Sequence, residues 1–442
     1  MKFTKFGKAL LMGALSVGIV LSVTSCVESY TVGFLYVTGT VTAQSSGSGI
    51  ISGFKIDHNT GQLTPVNGLP ISSGGANPGR ATLLLGSRFL YVLNRGTNAQ
   101  GGSECTSPGT SPGPCQNSNI TQFAVGGNGI LTPQETFYTQ GINPMRIFSD
   151  SSGAFLFVLD HDSPSNAACA LALGRSATTC GDITVFSINS STGRLQLVVN
   201  AQVTAANGTA LTYFPVPANP IDFVLNSGYI FTLSGTPATG DSVFPYTEAL
   251  ATGQLTVTQN SAQALNIAQA SAIVSGSSYL YVLDNEPITA NGTTSSSQIL
   301  PFLVGTGGAL QPQTGGAVPD DPTLSNPIYL LLESKGKFLY VLNEGNNTNT
   351  TNAQSGLAGY VIDPSSHQLS YIAGEPFGTG AGPQCLVEDP SNQFIYTADF
   401  NDSAVTGRVV DPNSGVLNNL RVTNTYSLNG PAAWCLVDGR TD

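Results

Sequence analysis

The 442-residue chain is acidic, with 15 lysines and arginines against 26 aspartates and glutamates and a formal net charge of −11. This balance argues against nucleic acid as a partner, because binding a phosphate backbone needs clustered positive charge. Only 9% of the residues are charged, and Gly, Ser, Thr and Asn fill the stretches between apolar runs. Such a composition is typical of an exported β-protein whose loops are polar but mostly uncharged.

The N-terminus has the pattern of an export signal. Lys2, Lys5 and Lys8 precede an apolar stretch from Ala9 to Val23. The sequence Val-Thr-Ser-Cys that ends at Cys26 is typical of a bacterial lipoprotein, in which the cysteine thiol carries the lipid. The apolar stretch is too short for a comfortable membrane span. The alternatives are an ordinary secretory signal with a chance cysteine, or a membrane anchor.

These features predict three segments and a location. Residues 1–25 are the lipoprotein signal peptide, residues 26–31 a lipidated tether, and residues 32–442 the folded domain. We expect a lipid-anchored, extracytoplasmic protein of the cell envelope. Val27, rather than an aspartate of the inner-membrane retention type, follows the lipidated cysteine. This favours the outer membrane over the inner membrane.

A short aromatic strand sequence occurs seven times after this segment, at intervals of about 50 to about 75 residues, as expected for propeller blades with variable loops. Aromatic and β-branched residues favour the half-buried surface of a sheet. A repeat of this kind cannot bury its surface alone, so the copies must stack on one another. The seven copies are Phe34–Val37, Phe89–Val92, Phe155–Val158, Tyr229–Thr232, Tyr279–Val282, Phe338–Val341 and Phe394–Thr397.

Each copy lies in a similar frame of strands and turns. A proline-led apolar stretch precedes it, such as the one from Pro144 to Phe148, with Ala270–Val274 as a weaker member. A variable loop, a third strand such as Ile183–Ile188, a glycine-bearing turn such as Asn189–Leu195 and a fourth strand follow. Glycine supplies the positive φ that these hairpin turns need. Seven repeats of four strands predict an all-β, seven-bladed β-propeller.

The two ends of the chain predict how the ring closes. The first copy, at Phe34, has no proline-led strand before it, whereas an extra one, Gly430–Val437, follows the last repeat. We predict that this C-terminal strand becomes the innermost strand of the first blade. Closure of the ring would remove the exposed edges that an open sheet presents.

Six of the seven cysteines remain if Cys26 carries lipid, and export permits disulfides. The spacing predicts that two pairs each staple a long loop, and a third pair occupies equivalent positions in neighbouring inner strands. That third pair is interpreted either as a disulfide across the closure or as two buried thiols. The sequence contains no Cys-x-x-Cys motif, so the cysteines do not indicate a zinc site. The three pairs are Cys105 and Cys115, Cys169 and Cys180, and Cys385 and Cys435.

Strand parity places the proline-led strand starts and the long loops after the second strands on one face, where a binding or catalytic site is expected. His161 is the best general acid or base candidate there, because imidazole titrates near neutral pH. Arg80 and Arg146 lie just inside inner strands and are expected to point toward the central channel. The other candidates on this face, which as strand-end residues could equally cap turns, are Arg95, Asp160, Asp162, Asp284, Glu286, Glu344 and Asp399.

Metal and cofactor signals are sparse. Asp160, Asp162 and nearby carbonyls could bind calcium, but the loop lacks EF-hand spacing. No cofactor and no other metal site is predicted. The chain also has no Gly-x-Ser-x-Gly, Walker or His-Glu-x-x-His motif.

The stretch from Ser334 to Glu344 resembles the blade signature of the bacterial seven-bladed propeller lactonases, a family similar to 6-phosphogluconolactonase. The resemblance covers about residues 32–438. It implies a seven-bladed propeller fold and, as activity, the hydrolysis of a lactone. Glu344 is the residue that matches the family pattern.

Two functions remain open. In the first, an exported lactonase-type hydrolase acts on a small sugar lactone. Arg80 or Arg146 would then hold the substrate carboxylate or polarise the carbonyl, and His161 or Glu344 would activate water. In the second, the protein is not an enzyme and uses the same face to bind an envelope polysaccharide or protein. In both we expect a monomer held at the membrane by its lipid anchor.

Overall fold

The computed structural model describes residues 30–41, 48–84, 86, 88–97, 117–174, 176–205, 207–226, 228–235, 240–258, 262–267, 269–286, 288–290, 293–295, 297–345 and 354–439. Thr31–Asp442 form one compact unit. The predicted signal peptide, the lipidation site Cys26 and the Cys105–Cys115 pair lie outside the described residues. None of the helices within the described ranges is long and apolar enough to cross a membrane.

The unit is built almost entirely from antiparallel β-strands, with one short helix, α1 (Asn166–Leu173), and a 3-10 turn at Thr306–Gly308. In chain order the strands are β1 (Thr31–Thr40), β2 (Ser48–Asp57), β3 (Leu63–Pro65), β4 (Ile71–Ala76), β5 (Pro78–Leu83), β6 (Phe89–Asn94), β7 (Asn119–Val125), β8 (Leu131–Phe137), β9 (Ile142–Ser149), β10 (Phe155–Asp162), β11 (Gly181–Ile188), β12 (Leu195–Leu197), β13 (Phe214–Val216), β14 (Pro220–Asn226), β15 (Tyr229–Ser234), β16 (Ser242–Ala249), β17 (Gln254–Val257), β18 (Gln263–Ala264), β19 (Ala270–Ser275), β20 (Tyr279–Asp284), β21 (Ile288–Ala290), β22 (Thr293–Ser295), β23 (Gln298–Val304), β24 (Leu310–Pro312), β25 (Val318–Pro319), β26 (Pro327–Leu332), β27 (Phe338–Asn343), β28 (Gly356–Ile362), β29 (Leu369–Tyr371), β30 (Pro383–Glu388), β31 (Phe394–Asp399), β32 (Ala404–Val410), β33 (Leu417–Asn419), β34 (Thr425–Ser427) and β35 (Ala432–Asp438).

The strands form seven blades, which confirms the predicted seven-bladed propeller. From the inside outward, blade 1 contains β35, β1, β2 and β3, and blade 2 contains β5 to β8. Blade 3 contains β9 to β12, blade 4 β14 to β17, and blade 5 β19, β20, β23 and β24. Blades 6 and 7 contain β26 to β29 and β30 to β33. A separate hairpin, β21–β22, follows the second strand of blade 5.

Five blades have a short fifth strand that the four-strand prediction did not include. In blade 3 the outer strand β12 covers one half of the edge of β11, at Phe186–Ile188, and β13 covers the other half, at Gly181–Ile183. The same arrangement recurs with β4, β18, β25 and β34. The short outer strand leaves half of an edge unpaired, and the returning chain satisfies those backbone groups.

All seven aromatic sequence copies lie in second strands, as predicted. Every residue of β6, β20, β27 and β31 is buried. Neighbouring blades cover both faces of these strands. Their sequences are therefore continuous apolar runs and do not alternate between apolar and polar residues. The second strands therefore form the packed middle of each blade.

Each second strand contacts the outer hairpin turn of the next blade, where a glycine with positive φ, or His367 in blade 6, meets the aromatic side chains. A Cβ added at Gly129, in the turn of blade 2, would overlap the Phe34 ring of blade 1. Two residues along, the Tyr36 hydroxyl donates to the Gly129 carbonyl at 2.9 Å. The same hydroxyl-to-carbonyl bond joins Tyr91 to Gly193, Tyr281 to His367, Tyr340 to Gly415 and Tyr396 to Gly61. Blades 3 and 4 have Phe157 and Phe231 at this position.

The ring closes as predicted, because the C-terminal strand β35 pairs antiparallel with β1, with Cys435 opposite Val37. A disulfide joins Cys435 to Cys385 on the inner strand of blade 7, with the two Cα atoms 5.8 Å apart. Of the two interpretations of this pair, the disulfide is therefore the observed one. The predicted Cys169–Cys180 disulfide is also present, with a Cα separation of 5.6 Å.

Candidate active site at the channel mouth

The innermost strands surround the central channel, and each contacts the next around the ring. Every one of these strands has a register shift near its start, at which one residue, or two in blade 2, is skipped in the pairing with the second strand. Such β-bulges re-aim side chains and occur next to functional sites. The residues at the equivalent position, two after the proline or alanine that precedes the bulge, are Trp434, Arg80, Arg146, Asp222, Ala272, Tyr329 and Cys385 in blades 1 to 7.

Two arginines at this level share one carboxylate. Arg146 Nε lies 3.1 Å from Asp222 Oδ1, and Arg80 Nη1 lies 3.4 Å from the same oxygen. Asp222 is only 1% exposed and Arg80 only 6% exposed. The side chains of blades 2, 3 and 4 thus meet at the centre of the ring, although their residues are up to 142 positions apart in the chain.

Aromatic rings enclose the Arg80 guanidinium. Its Cζ lies 4.4 Å from the ring centroid of Trp434, 5.3 Å from that of Tyr329 and 5.9 Å from that of Phe148. Tyr329 and Trp434 themselves meet edge to face at 5.2 Å. Cations are attracted to aromatic faces at these distances, most strongly to tryptophan. We call Arg80, Arg146, Asp222, Tyr329 and Trp434 the channel floor.

The channel floor carries more positive than negative charge. Burial lowers the pKa of Arg146 to about 10, the positive charges of Arg80 and Arg95 act in the same direction, and Asp222 opposes them. Burial also lowers the pKa of Arg95, whose Nε is buried without a hydrogen-bond partner among the described residues. Arg80 and Arg146 therefore share a single aspartate, and Arg95 adds a third positive charge that acts on Arg146. Buried charges are normally paired, so this arrangement is suited to an anionic ligand or an oxygen atom that gains negative charge.

A second ring of residues, at the ends of the second strands, surrounds the channel mouth. Arg95 and Glu344 each follow the last paired residue of the second strand in their blades, whereas His161 lies within β10, between the paired residues Asp160 and Asp162. The amides of Arg95 and Glu344 donate to the carbonyls of Asn77 and Asn326, at 3.0 and 2.9 Å. These two asparagines have positive φ, a conformation that asparagine tolerates better than most residues.

His161 is oriented by its neighbour. Its Nδ1 lies 2.9 Å from Asp162 Oδ1, although not in the direction of a straight hydrogen bond. Asn143 Nδ2 donates to the other oxygen of Asp162 at 2.8 Å. Burial acts to raise the pKa of Asp162, but contacts with His161 and Asn143 outweigh it and hold that pKa below its usual range. A carboxylate beside Nδ1 leaves Nε2 as the nitrogen available for proton transfer.

The opposite side of the mouth is a network of amides around Glu344. Its two carboxylate oxygens accept from Asn326 Nδ2 at 2.8 Å and from Gln384 Nε2 at 2.9 Å. Asn285 Nδ2 in turn donates to Asn326 Oδ1 at 3.0 Å. These residues come from blades 5, 6 and 7. Glu344 is therefore held in a polar network, across the ring from Arg146 and His161.

Three acidic candidates, Asp160, Asp284 and Asp399, lie at the same end of the blades but are fully buried. They bond to side chains of the adjacent third strands: Asp160 to Thr184, Asp284 to Gln298, and Asp399 to Thr406. Burial raises the pKa of Asp284 and that of Asp399 to about 6. Their carboxylates hold the second and third strands together within the blade.

The remaining candidate, Glu286, is close to one of these acids. The amide of Glu286 donates to Asp284 Oδ1 at 3.2 Å, and Glu286 is half-buried.

No group of three or more His, Cys, Asp or Glu residues within the described ranges could hold a metal ion. The possible calcium site at Asp160 and Asp162 thus lacks a third ligand of these types in this part of the structure.

A short helix that is tied by a disulfide follows the strand of His161 in the chain. Helix α1 begins four residues after Asp162, and the Cys169–Cys180 disulfide ties it to the start of β11. Ala168 on this helix packs against Leu211 and Tyr213 from the connection to blade 4. The segment that follows His161 is therefore held by a disulfide and by apolar packing.

Sequence interpretation did not single out Asp222, Tyr329 and Trp434. A signal for two of them was present, because Asp222 and Tyr329 follow a strand-starting proline by two residues, as Arg80 and Arg146 do. Alignment of the proline-led strand starts would have placed all four in one ring. Trp434 lies at the same position in a strand that the C-terminus supplies to blade 1.

The chain belongs to the lactonase family of seven-bladed β-propellers, whose family model matches residues 47–212 and 291–433. No curated protein sequence matches the chain. The family assignment agrees with the resemblance seen in the blade signature.

Solved structures show the same fold at low identity. A Bacteroides fragilis protein designated a candidate 6-phosphogluconolactonase is 16% identical, with a TM-score of 0.64 over 92% of this chain and 98% of that chain. The periplasmic gluconolactonase of Pseudomonas aeruginosa is 18% identical, with a TM-score of 0.62 over 92% and 99%. A Lactobacillus plantarum protein is 17% identical, with a TM-score of 0.58 over 93% and 99%. At such identities the likeness establishes the fold alone.

Proposed function

We propose that this protein hydrolyses the lactone of a sugar acid at the channel mouth. The observation that carries the proposal is the excess of positive charge at Arg146, which Asp222 fixes on one side and which is still 21% exposed. Hydrolysis of a lactone develops negative charge on the carbonyl oxygen and ends in a carboxylate. Fixed positive groups in a water-poor site stabilise that charge without reorganisation.

In the proposed reaction, water attacks the lactone carbonyl carbon while His161 Nε2 accepts a proton from the water. Asp162, 2.9 Å from Nδ1, stabilises the imidazolium that forms. Arg146 donates to the oxygen of the tetrahedral intermediate. The ring C–O bond then breaks, the ring oxygen takes the proton from His161 and becomes a hydroxyl, and the new carboxylic acid ionises.

The amide network on blades 5 to 7 supports a polyhydroxylated substrate. Glu344, Gln384, Asn326 and Asn285 offer donors and acceptors on the side of the mouth opposite Arg146. Sugar hydroxyls are both donors and acceptors and match such a surface. The Pseudomonas aeruginosa relative is described as a gluconolactonase, which agrees with this substrate class.

Kinetics of variants of the full-length protein test the proposal. We expect acid release from δ-gluconolactone to fall about 100- to 1000-fold in Arg146→Ala, the usual cost of one oxyanion donor, and at least about 100-fold in His161→Ala. Arg194→Ala is the matched control, because the Arg194 side chain is 69% exposed and forms an ion pair with Glu135 at the surface. Wild-type rates equal to those of buffer across a panel of sugar and homoserine lactones would contradict the proposal and favour the non-catalytic binding protein.

We also propose that the protein acts outside the cytoplasm, anchored by lipid on Cys26. The Cys169–Cys180 and Cys385–Cys435 disulfides support this, since disulfides persist mainly in oxidising compartments. Fractionation of cells that express the full chain or Cys26→Ala tests the anchor. Both proteins should be exported, and only the unsubstituted chain should stay with the membranes.

A further inference from the structure

Asp222 is buried between the two arginines of the channel floor. It lies on the inner strand β14, two residues after Pro220. Its Oδ1 accepts from Arg146 Nε at 3.1 Å and lies 3.4 Å from Arg80 Nη1. The backbone amide of Phe223 donates to the same oxygen at 3.0 Å. Arg80 Nη2 also donates to the other oxygen, Oδ2, at 3.5 Å, so one carboxylate fixes the separation of two positive side chains.

The two arginines differ in what they can reach. The Arg80 side chain is 7% exposed and is covered by Trp434 and Tyr329, whereas the Arg146 side chain is 21% exposed. Arg146 uses Nε for Asp222 and Nη1 for the carbonyl of Met145, at 3.2 Å. Its Nη2 has no hydrogen-bond partner among the described residues. Of the two, Arg146 is the one that can contact a ligand.

We propose that Asp222 is a positioning residue for the lactone hydrolysis proposed above: its carboxylate holds the Arg146 guanidinium so that the free Nη2 edge faces the reacting carbonyl. This inference rests on the proposed function. Without the carboxylate, the positive charges of Arg80 and Arg146 would repel each other at close range. Arg146 would then leave the geometry in which it stabilises the oxyanion.

The arrangement also makes the C-terminal strand part of the site. Arg80 is pressed between Asp222 on one side and Trp434 on the other, and Trp434 belongs to β35. Trp434 is the single tryptophan of the chain. Its fluorescence therefore reports on the channel floor without any label.

A double-mutant cycle separates positioning from general support of the fold. In the full-length protein, Asp222→Asn should lower kcat on δ-gluconolactone about 10- to 100-fold, the cost of a small misplacement of a catalytic group, with a smaller change in KM. In an Arg146→Ala background the same substitution should lower kcat by less than about 2-fold, because the effects of substitutions within one network are non-additive. Equal losses in both backgrounds would overturn the inference.

The matched control is Asp320→Asn in the connection from blade 5 to blade 6. Asp320 is also 1% exposed and accepts hydrogen bonds from Ser297, Asn343 and Tyr360, but it lies outside the channel floor. We expect this variant to lower the unfolding temperature and to leave kcat within about 2-fold. A fall in kcat in Asp320→Asn as large as that in Asp222→Asn would mean that any buried aspartate has this effect, and would overturn the inference.

A turnover-independent measurement distinguishes failure of this inference from failure of the proposed function. Titration of the wild-type protein with sodium gluconate should change Trp434 emission in a saturable way, and Asp222→Asn should shift the emission before any ligand is added. A wild-type protein that neither hydrolyses δ-gluconolactone nor binds gluconate rejects the proposed function. An active wild type whose Asp222→Asn variant matches it in kcat rejects the positioning role alone.

If Asp222→Asn does not fold, Asp222→Glu is used in the same cycle. It keeps the charge and moves the carboxylate by one methylene, so its loss of kcat should likewise vanish in the Arg146→Ala background. Persistence of that loss would overturn the inference.

Discussion

Asp160 and Asp182 in blade 3 form a pair of buried acids that share one hydroxyl. Both are fully buried, and Thr184 Oγ1 lies 3.1 Å from Asp160 Oδ2 and 3.5 Å from Asp182 Oδ1. Burial raises the pKa of Asp160, and burial together with the neighbouring Asp160 charge raises that of Asp182. The folded protein therefore keeps a proton that the unfolded chain releases above pH about 4. The protonated pair makes its full contribution to the free energy of unfolding below that pH. The contribution is lost as the pH rises and the buried carboxyl groups ionise.

Asp182→Asn should weaken this pH dependence, because it removes one of the two buried carboxyl groups, whereas burial still raises the pKa of Asp160. We expect the variant to be more stable than the wild type at pH 8, by at least about 1 kcal/mol, since one pKa unit corresponds to about 1.4 kcal/mol. The difference should shrink toward pH 4. Urea unfolding at a series of pH values measures it.

Asp363→Asn is the control of opposite sign. Backbone amides of Ser366 and Ser365 lower the pKa of this exposed carboxylate, so its contribution is present at neutral pH and lost as the pH falls. A gain in Asp182→Asn that is equal at all pH values would contradict the shared-proton interpretation.

Single residues of the site were predictable to the extent that their chemistry is visible in sequence. Arg80, Arg146 and His161 were identified because charged residues are rare in this chain. Asp222 was not, because its role depends on an arginine 76 residues away. Asp160, Asp284 and Asp399 were grouped with the ligand face because strand parity gives the end of a blade but not the direction of a side chain.

At the scale of the element, the repeated aromatic sequence and the glycine turn are two halves of one contact. The sequence predicted both, but not that each aromatic strand meets the turn of the following blade. The partners Tyr36 and Gly129 are 93 residues apart, and Tyr396 and Gly61 are 335 apart. Only closure of the ring brings Tyr396 and Gly61 together, so this contact cannot be predicted from the sequence around either residue.

Gly61→Ala tests this contact at the junction of blades 7 and 1. Gly61 has φ 66°, and an added Cβ would overlap the ring of Phe394. We expect a loss of about 2 to 5 kcal/mol in the free energy of unfolding, from left-handed strain of about 1 to 2 kcal/mol and overpacking of about 1 to 3 kcal/mol.

Gly68→Ala is the matched control for Gly61→Ala. Gly68 has φ 88° but nothing within 4 Å of an added Cβ, so only the backbone strain should appear. Equal losses in the two variants would show that the aromatic contact adds nothing.

At the scale of the whole molecule, the site exists because the ring is closed. The channel floor takes Trp434 from blade 1, Arg80 from blade 2, Arg146 from blade 3, Asp222 from blade 4 and Tyr329 from blade 6. Trp434 comes from the C-terminal strand that completes blade 1, and its neighbour Cys435 is bonded to blade 7. The sequence predicted the closing strand, but not that it would carry a residue of the floor.

The distribution of charge over the molecule fits a site for anions. The chain as a whole is acidic, yet Arg80 and Arg146 meet at the centre of the propeller around the single carboxylate of Asp222, and the charge of Arg95 also acts on Arg146. An acidic exterior does not attract anions over long distances. The positive floor would therefore act at short range, on a substrate that becomes charged during the reaction.

A crystal structure of the full-length protein with gluconate, the product of δ-gluconolactone hydrolysis, is the most direct test of the site. The account predicts a carboxylate within hydrogen-bond distance of Arg146 Nη2, and sugar hydroxyls toward Glu344 and Gln384. Gluconate bound elsewhere, or a mouth that stays empty at concentrations that inhibit turnover, would contradict it.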